Sequence, residues 1–146
     1  MSIRRKSREL ALQCLYQIDQ SGNVETDIAA MTVHFDVNKK AIPYAQELIS
    51  GIRLHSDALN IMIEVHAKNW RLSRMAVIDR NILRIAAFEL AHMPEVPSSV
   101  ILNEAIEIAK RFSTDDAAPF INGILDSICR TVRKEGDQRT GQDECA

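Results

Sequence analysis

Residues 73–92 read SRMAVIDRNILRIAAFELAH, and the spacing of the apolar side chains in this stretch decides the fold. Plotted at about 100° per residue, Ile78, Ile82, Leu83, Ile85, Ala86, Ala87 and Leu90 cover well over half of a helix circumference. A helix apolar on so many sides needs several packing partners, so the stretch predicts a central helix over 73–92. Working outward, three- and four-residue apolar spacing recurs almost everywhere and no segment alternates with period two, which predicts an all-α protein.

Leu10, Ala11, Cys14, Leu15 and Ile18 form the stripe of a first helix that starts near Ser2 and ends before Ser21-Gly22. A shorter helix is expected over 26–34. Asn38 is a candidate cap for the next, with Pro43 in its first turn, Leu48, Ile52 and Leu59 facing inward, and a break at Ser56-Asp57 before a segment ending near Lys68. Pro94 and Pro97 separate the central helix from one capped by Ser98 or Ser99, which carries Ile101, Leu102, Ala105, Ile108, Ala109 and Phe112. Thr114 or Asp116 then caps a last helix with the stripe Ile121, Ile124, Leu125, Ile128 and Val132. The expectation is a compact bundle of about seven helices, one domain over 1–133, and a polar, disordered tail over 134–146.

The 146 residues suffice for one well-buried domain. With 18 basic and 20 acidic residues, the net charge of -2 excludes a histone-like coater of DNA, so any polyanion site must arise from local charge separation. Three cysteines (Cys14, Cys129, Cys145) without a CxxC pair suit a reducing cytosol better than a disulfide scaffold. No apolar run approaches the roughly 20 residues that span a bilayer, and no signal peptide is seen, so a cytoplasmic protein with no membrane partner is expected. His34, His55, His66 and His92 are scattered without metal-ligand spacing, and the five glycines build no nucleotide loop. No metal, no cofactor and no catalytic site are predicted, so the chain does not read as an enzyme. Glu104 and Glu107 read as a polar face near a helix start.

Four of the first eight residues are cations: Arg4, Arg5, Lys6 and Arg8. The helix dipole favours acids at that end, so capping energetics do not explain the placement, whereas phosphate contact would. On the helical projection Arg5, Glu9, Gln13, Tyr16 and Gln20 lie opposite the core stripe, with Arg4 and Arg8 as another i, i+4 pair. Tyr16 therefore faces outward, as a candidate anchor for another protein. A second basic stretch, Lys68, Arg71, Arg74, Arg80 and Arg84, either extends the positive surface or pairs in part with Asp79 or Glu89. Phe120 falls about 100° from the core centre of the last helix, where a ring either stacks an unpaired base or packs under a loop. Asp115 and Asp116 read as cap residues that could also accept a base amino hydrogen.

Four blocks carry a resemblance: Arg4 to Gln17 (RRKSRELALQCLYQ), Asp79 to Leu90 (DRNILRIAAFEL), Val96 to Lys110 (VPSSVILNEAIEIAK) and Phe120 to Asp126 (FINGILD). In this order, collinear from residue 4 to about 132, they resemble the NusB family of bacterial transcription antitermination factors. The resemblance implies an all-helical fold of two packed subdomains. It also implies RNA binding to a boxA element together with a small ribosomal protein acting as NusE, within an RNA polymerase antitermination complex on ribosomal RNA operons. Carried over by position, it assigns Arg4, Arg5, Lys6, Arg8 and Phe120, with Gln13 and Asp116, to RNA, and Tyr16 and Asp79 to the ribosomal protein. Lys6 and Ser7 stand where the family often has Arg and Ala, and Pro119 where a basic residue is common. Two other readings compete: an accessory domain of an RNA methyltransferase, and a structural adaptor without RNA contact. Oligomeric state is left open, and a homodimer could cover the arginine face.

Overall fold

The computed structural model describes residues 2–22, 38–68 and 70–133. Among them are six α-helices: α1 (Ile3–Ser21), α2 (Ile42–Leu54), α3 (Ser56–His66), α4 (Val77–His92), α5 (Ser98–Phe112) and α6 (Ala117–Val132). The expected helix over 26–34 and the expected tail over 134–146 lie outside the described residues.

Helix α1 is bounded as its end residues dictate. The Ser2 hydroxyl accepts from the Arg5 N–H at 3.0 Å, and Gly22 closes the helix in the left-handed region at φ 69°. Asn38 caps a 3₁₀ turn, Lys39–Ala41, that leads into α2, with Pro43 in the first turn where its missing N–H costs nothing. The break between α2 and α3 falls at His55, one residue before the expected site.

Three expected boundaries are corrected. The central helix begins at Val77 rather than Ser73, because Leu72–Arg74 forms a 3₁₀ turn and Met75 and Ala76 are extended. Leu72 and Met75 at either end of that turn are buried, and the Arg80 guanidinium reaches the carbonyls of both, which holds the segment as a turn ahead of the helix. Ser98 is the first residue of α5 rather than its cap; its side chain is buried and accepts from Arg133 Nη1 at 3.0 Å. Asp116 occupies the position before α6 in helical conformation and makes no capping bond.

Helix α4 touches all five other helices, the central position its apolar circumference demands. Its residues Ile82, Leu83, Ile85, Ala86, Ala87, Phe88 and Leu90 are buried in one continuous core with Leu48, Leu59, Ile63, Ile101, Ile121, Leu125 and Ile128. Packing α1, α2 and α5 around α4 sets the N-terminal cations beside acids on α4 and α5.

Candidate nucleic-acid interface

The cationic end of α1 divides into buried and exposed members. Arg8 is 3% exposed, and its guanidinium grips Glu89 of α4, Nη2 to Oε2 at 2.8 Å and Nε to Oε1 at 3.0 Å. The Tyr44 hydroxyl of α2 donates to the same carboxylate. Burial opposes the charge on Arg8, but the hydrogen bonds and field of Glu89 more than offset it and keep the guanidinium charged. Burial first, and then Glu89, push the Tyr44 phenol well above its ordinary range, so it remains a donor. Arg8 thus locks three helices from beneath and does not face outward as expected. The reason lies in spacing: Ala11, Leu12 and Leu15, at i+3, i+4 and i+7, are all buried.

Arg5 is half-buried, donating to Glu104 of α5 through Nε at 2.9 Å and Nη2 at 2.5 Å, while Arg8 Nη1 lies 3.5 Å from the same acid. Glu104 is therefore a counter-ion rather than part of a solvated face. The Arg5 hydrogen bond holds its carboxyl below the usual carboxylate range against the opposing effect of burial. Arg4 and Lys6 are exposed. The Arg4 guanidinium carbon sits 4.1 Å from the centroid of the Tyr44 ring, a cation–π contact that positions it without neutralising it. Ser7 is fully buried and donates to the Ala41 carbonyl at 2.7 Å.

Further along α1, Tyr16 is exposed at 38%, as the projection predicts. It lines a groove of about 300 Å³ with Glu9, Leu12, Gln13, Gln17, Ile78 and Phe112. Gln13 thus shares a surface with Tyr16. Asp79 follows Ile78 at the groove's edge, half-buried, and accepts from the Ser113 hydroxyl at 2.5 Å. Phe112, expected in the core, is 38% exposed.

The second basic stretch is split. Arg80 and Arg84 pair with Asp19 of α1 at 3.0 and 3.1 Å, not with Asp79 or Glu89, and Asn81 donates to the same oxygen at 2.8 Å. Burial would raise the Asp19 carboxyl, but these three donors hold it low. Lys68, Arg71 and Arg74 are exposed. Phe120 is half-buried and meets the Trp70 ring edge-on, with centroids 5.9 Å apart at 73°. Asp115 and Asp116 are exposed. Sequence reasoning passed over Trp70, Tyr44 and Asp19; an aromatic flanked by cations was the signal available for the first. For Tyr44 and Asp19 no local signal existed, because their partners lie 45 and 61 residues away.

Among the described residues, no helix is long and apolar enough to cross a membrane, and no group of three or more His, Cys, Asp or Glu could hold a metal ion. The fold is an all-helical one that presents a cationic helix end beside an aromatic groove, the layout of a binding protein. The NusB family model matches residues 5–130. A transcription antitermination protein NusB from Citrifermentans bemidjiense is 45% identical over 143 residues, covering 90% of this chain and 97% of that protein. The T. maritima NusB structure superposes with a TM-score of 0.79 at 34% identity, covering 90% of this chain and 94% of that one. A crystal structure of antitermination factors NusB and NusE in complex with dsRNA gives 0.80 at 25% identity, covering 90% and 98%. The chain belongs to the NusB family, whose members named here are transcription antitermination proteins.

Proposed function

We propose that this transcription antitermination protein binds boxA-type RNA through the amino-terminal end of α1 and a small ribosomal protein, NusE, through the Tyr16 groove. The assembly joins an RNA polymerase antitermination complex and favours processive transcription of ribosomal RNA operons. The observation that carries the RNA reading is the pair of exposed cations, Arg4 and Lys6, on a helix pinned from beneath by the buried Arg8–Glu89 pair. A phosphate meeting Arg4 finds a charge held over the Tyr44 ring, so less side-chain ordering remains to be done there on binding. Arg5 contributes when phosphate competes with Glu104, and Arg8 acts as a positioning residue. Asp116 and Phe120 supply contacts to bases, the ring by stacking and the carboxylate by accepting an amino hydrogen. Gln13, Tyr16 and Asp79 belong to the ribosomal-protein side, an aromatic anchor with a polar rim. This assigns recognition, and no catalytic step, to the chain.

Titration of a labelled boxA-like RNA against a scrambled strand, with and without the ribosomal protein, tests the reading. With about three phosphate contacts to a single strand, the α1 end alone contributes about -2 to the slope of log affinity against log salt. Arg4→Ala with Lys6→Ala should weaken binding and flatten that slope; wild-type affinity in this variant would remove RNA from α1. One observation favours a second reading, the adaptor without RNA contact: Arg5 and Arg8 are both neutralised inside the protein. Absence of any salt-dependent RNA binding would establish it. A homodimer that covers the same face would appear as concentration-dependent sedimentation reversed by RNA.

A further inference from the structure

Between Glu64 and Asp79 the chain carries no acid, yet it places Lys68, Arg71 and Arg74 around Trp70. All four side chains are exposed, and Trp70, the only tryptophan in the sequence, is 51% exposed. None of the three cations forms an ion pair with a described residue. Glu64, an exposed acid, accepts from the Leu72 backbone N–H at 2.9 Å, so its carboxylate borders the turn without pairing with any of the three cations.

Residues 70–75 are held in shape. Leu72 and Met75 are buried, and Arg80 Nη1 reaches the carbonyls of both at 3.3 and 3.4 Å. Lys68 turns the chain in the left-handed region at φ 46°, a conformation that costs a non-glycine residue about 1–2 kcal/mol. The T-shaped contact with Phe120 fixes the Trp70 ring from one edge and leaves half its surface open. An indole held at one edge and bordered by cations that pair with no described acid is the arrangement that receives a nucleobase with its phosphates.

We infer that Trp70 is a stacking platform for an unpaired base, and that Lys68, Arg71 and Arg74 hold the flanking phosphates of the same strand. It extends the RNA track past Phe120, and so rests on the RNA reading given above. Stacking needs an exposed base face, so the ligand is single-stranded RNA rather than a duplex.

Because the chain has one tryptophan, its emission reports this site alone. Titrating the full protein with a short single-stranded boxA-like RNA should quench that emission to saturation, while the same RNA in a duplex and inorganic polyphosphate should not. Trp70→Ala should weaken binding by roughly five- to a hundredfold, with Trp70→Phe retaining most of it. Replacing Lys68, Arg71 and Arg74 with Gln should reduce the salt slope by about 2. Thermal melts confirm that each variant is folded; should Trp70→Ala not fold, the wild-type quench and Trp70→Phe decide. The platform is overturned if polyphosphate or duplex quenches equally, or if emission responds only to the ribosomal protein. It is also overturned, with the RNA reading intact, if Arg4→Ala and Lys6→Ala weaken binding while Trp70 emission stays unmoved. If no RNA binds at all, both readings fall.

Discussion

Arg8 stands one turn ahead of Leu12 and is 3% exposed, so the cost of burying its charge is offset by Glu89, itself 1% exposed. Removing one partner of such a pair leaves the other as an uncompensated buried charge, which costs about 3–5 kcal/mol. Arg8→Ala should therefore lower the urea midpoint severely, whereas Arg4→Ala should leave it unchanged and affect RNA binding alone. Equal stability of the two variants would mean that the pair does not form in solution. This residue also shows how far local reading reaches. Arg8 was expected to face outward, although its apolar neighbours at i+3, i+4 and i+7 carried a signal of burial that the cationic cluster outweighed. That Arg8 and Glu89 find each other was not legible, because 81 residues separate them and only the packing of α1 on α4 joins them. Tyr16, by contrast, was placed outward correctly, since nothing beyond its own helix decides the matter.

Helix α2 carries a glycine in its last turn, Gly51, which by propensity alone is up to about 1 kcal/mol worse than alanine. The reason is a neighbour: a Cβ on Gly51 would lie 2.1 Å from Cζ of Phe88, so the absence of a side chain lets α2 approach α4. Gly51→Ala should destabilise by about 1–3 kcal/mol despite the better helix former, since the aromatic ring is buried and must shift. A gain in thermal stability would show that the two helices do not pack this closely. The end of α3 argues the opposite way. Lys68 occupies a left-handed position that favours glycine, so Lys68→Gly should raise stability by up to about 1 kcal/mol while removing a cation from the Trp70 segment. Among the described residues, helix identities were legible from period alone. Starts were less so, as α4 shows: Ser73 and Arg74 continue the helical pattern, but the chain forms a 3₁₀ turn there, and the Arg80 bonds to the Leu72 and Met75 carbonyls that accompany it were not readable from period.

At the scale of the molecule, the helices are tied by carboxylates that are more acidic folded than unfolded, and this fixes the direction of acid sensitivity. Asp19 joins α1 to α4 through Arg80, Arg84 and Asn81, and Glu104 joins α5 to α1 through Arg5. Both carboxyls are held low, so their contribution is complete above the unfolded values of about 3.9 and 4.3 and is lost as pH falls through them towards the folded values. His92, lowered by burial and by the His55 ring stacked on it at 4.1 Å, acts earlier: the folded protein resists its protonation, so stability declines as pH drops below about 6.5. Its exposure keeps that first loss small. Denaturant midpoints measured from pH 7 to 3 should therefore fall gently at first and steeply below about 4. Asp19→Asn should be less stable at neutral pH, having lost two ion pairs, and lose less on acidification. A variant that starts lower but falls with the same steepness would show that Asp19 titrates alike in the folded and unfolded chain, and that the α1–α4 junction is held by apolar contact alone.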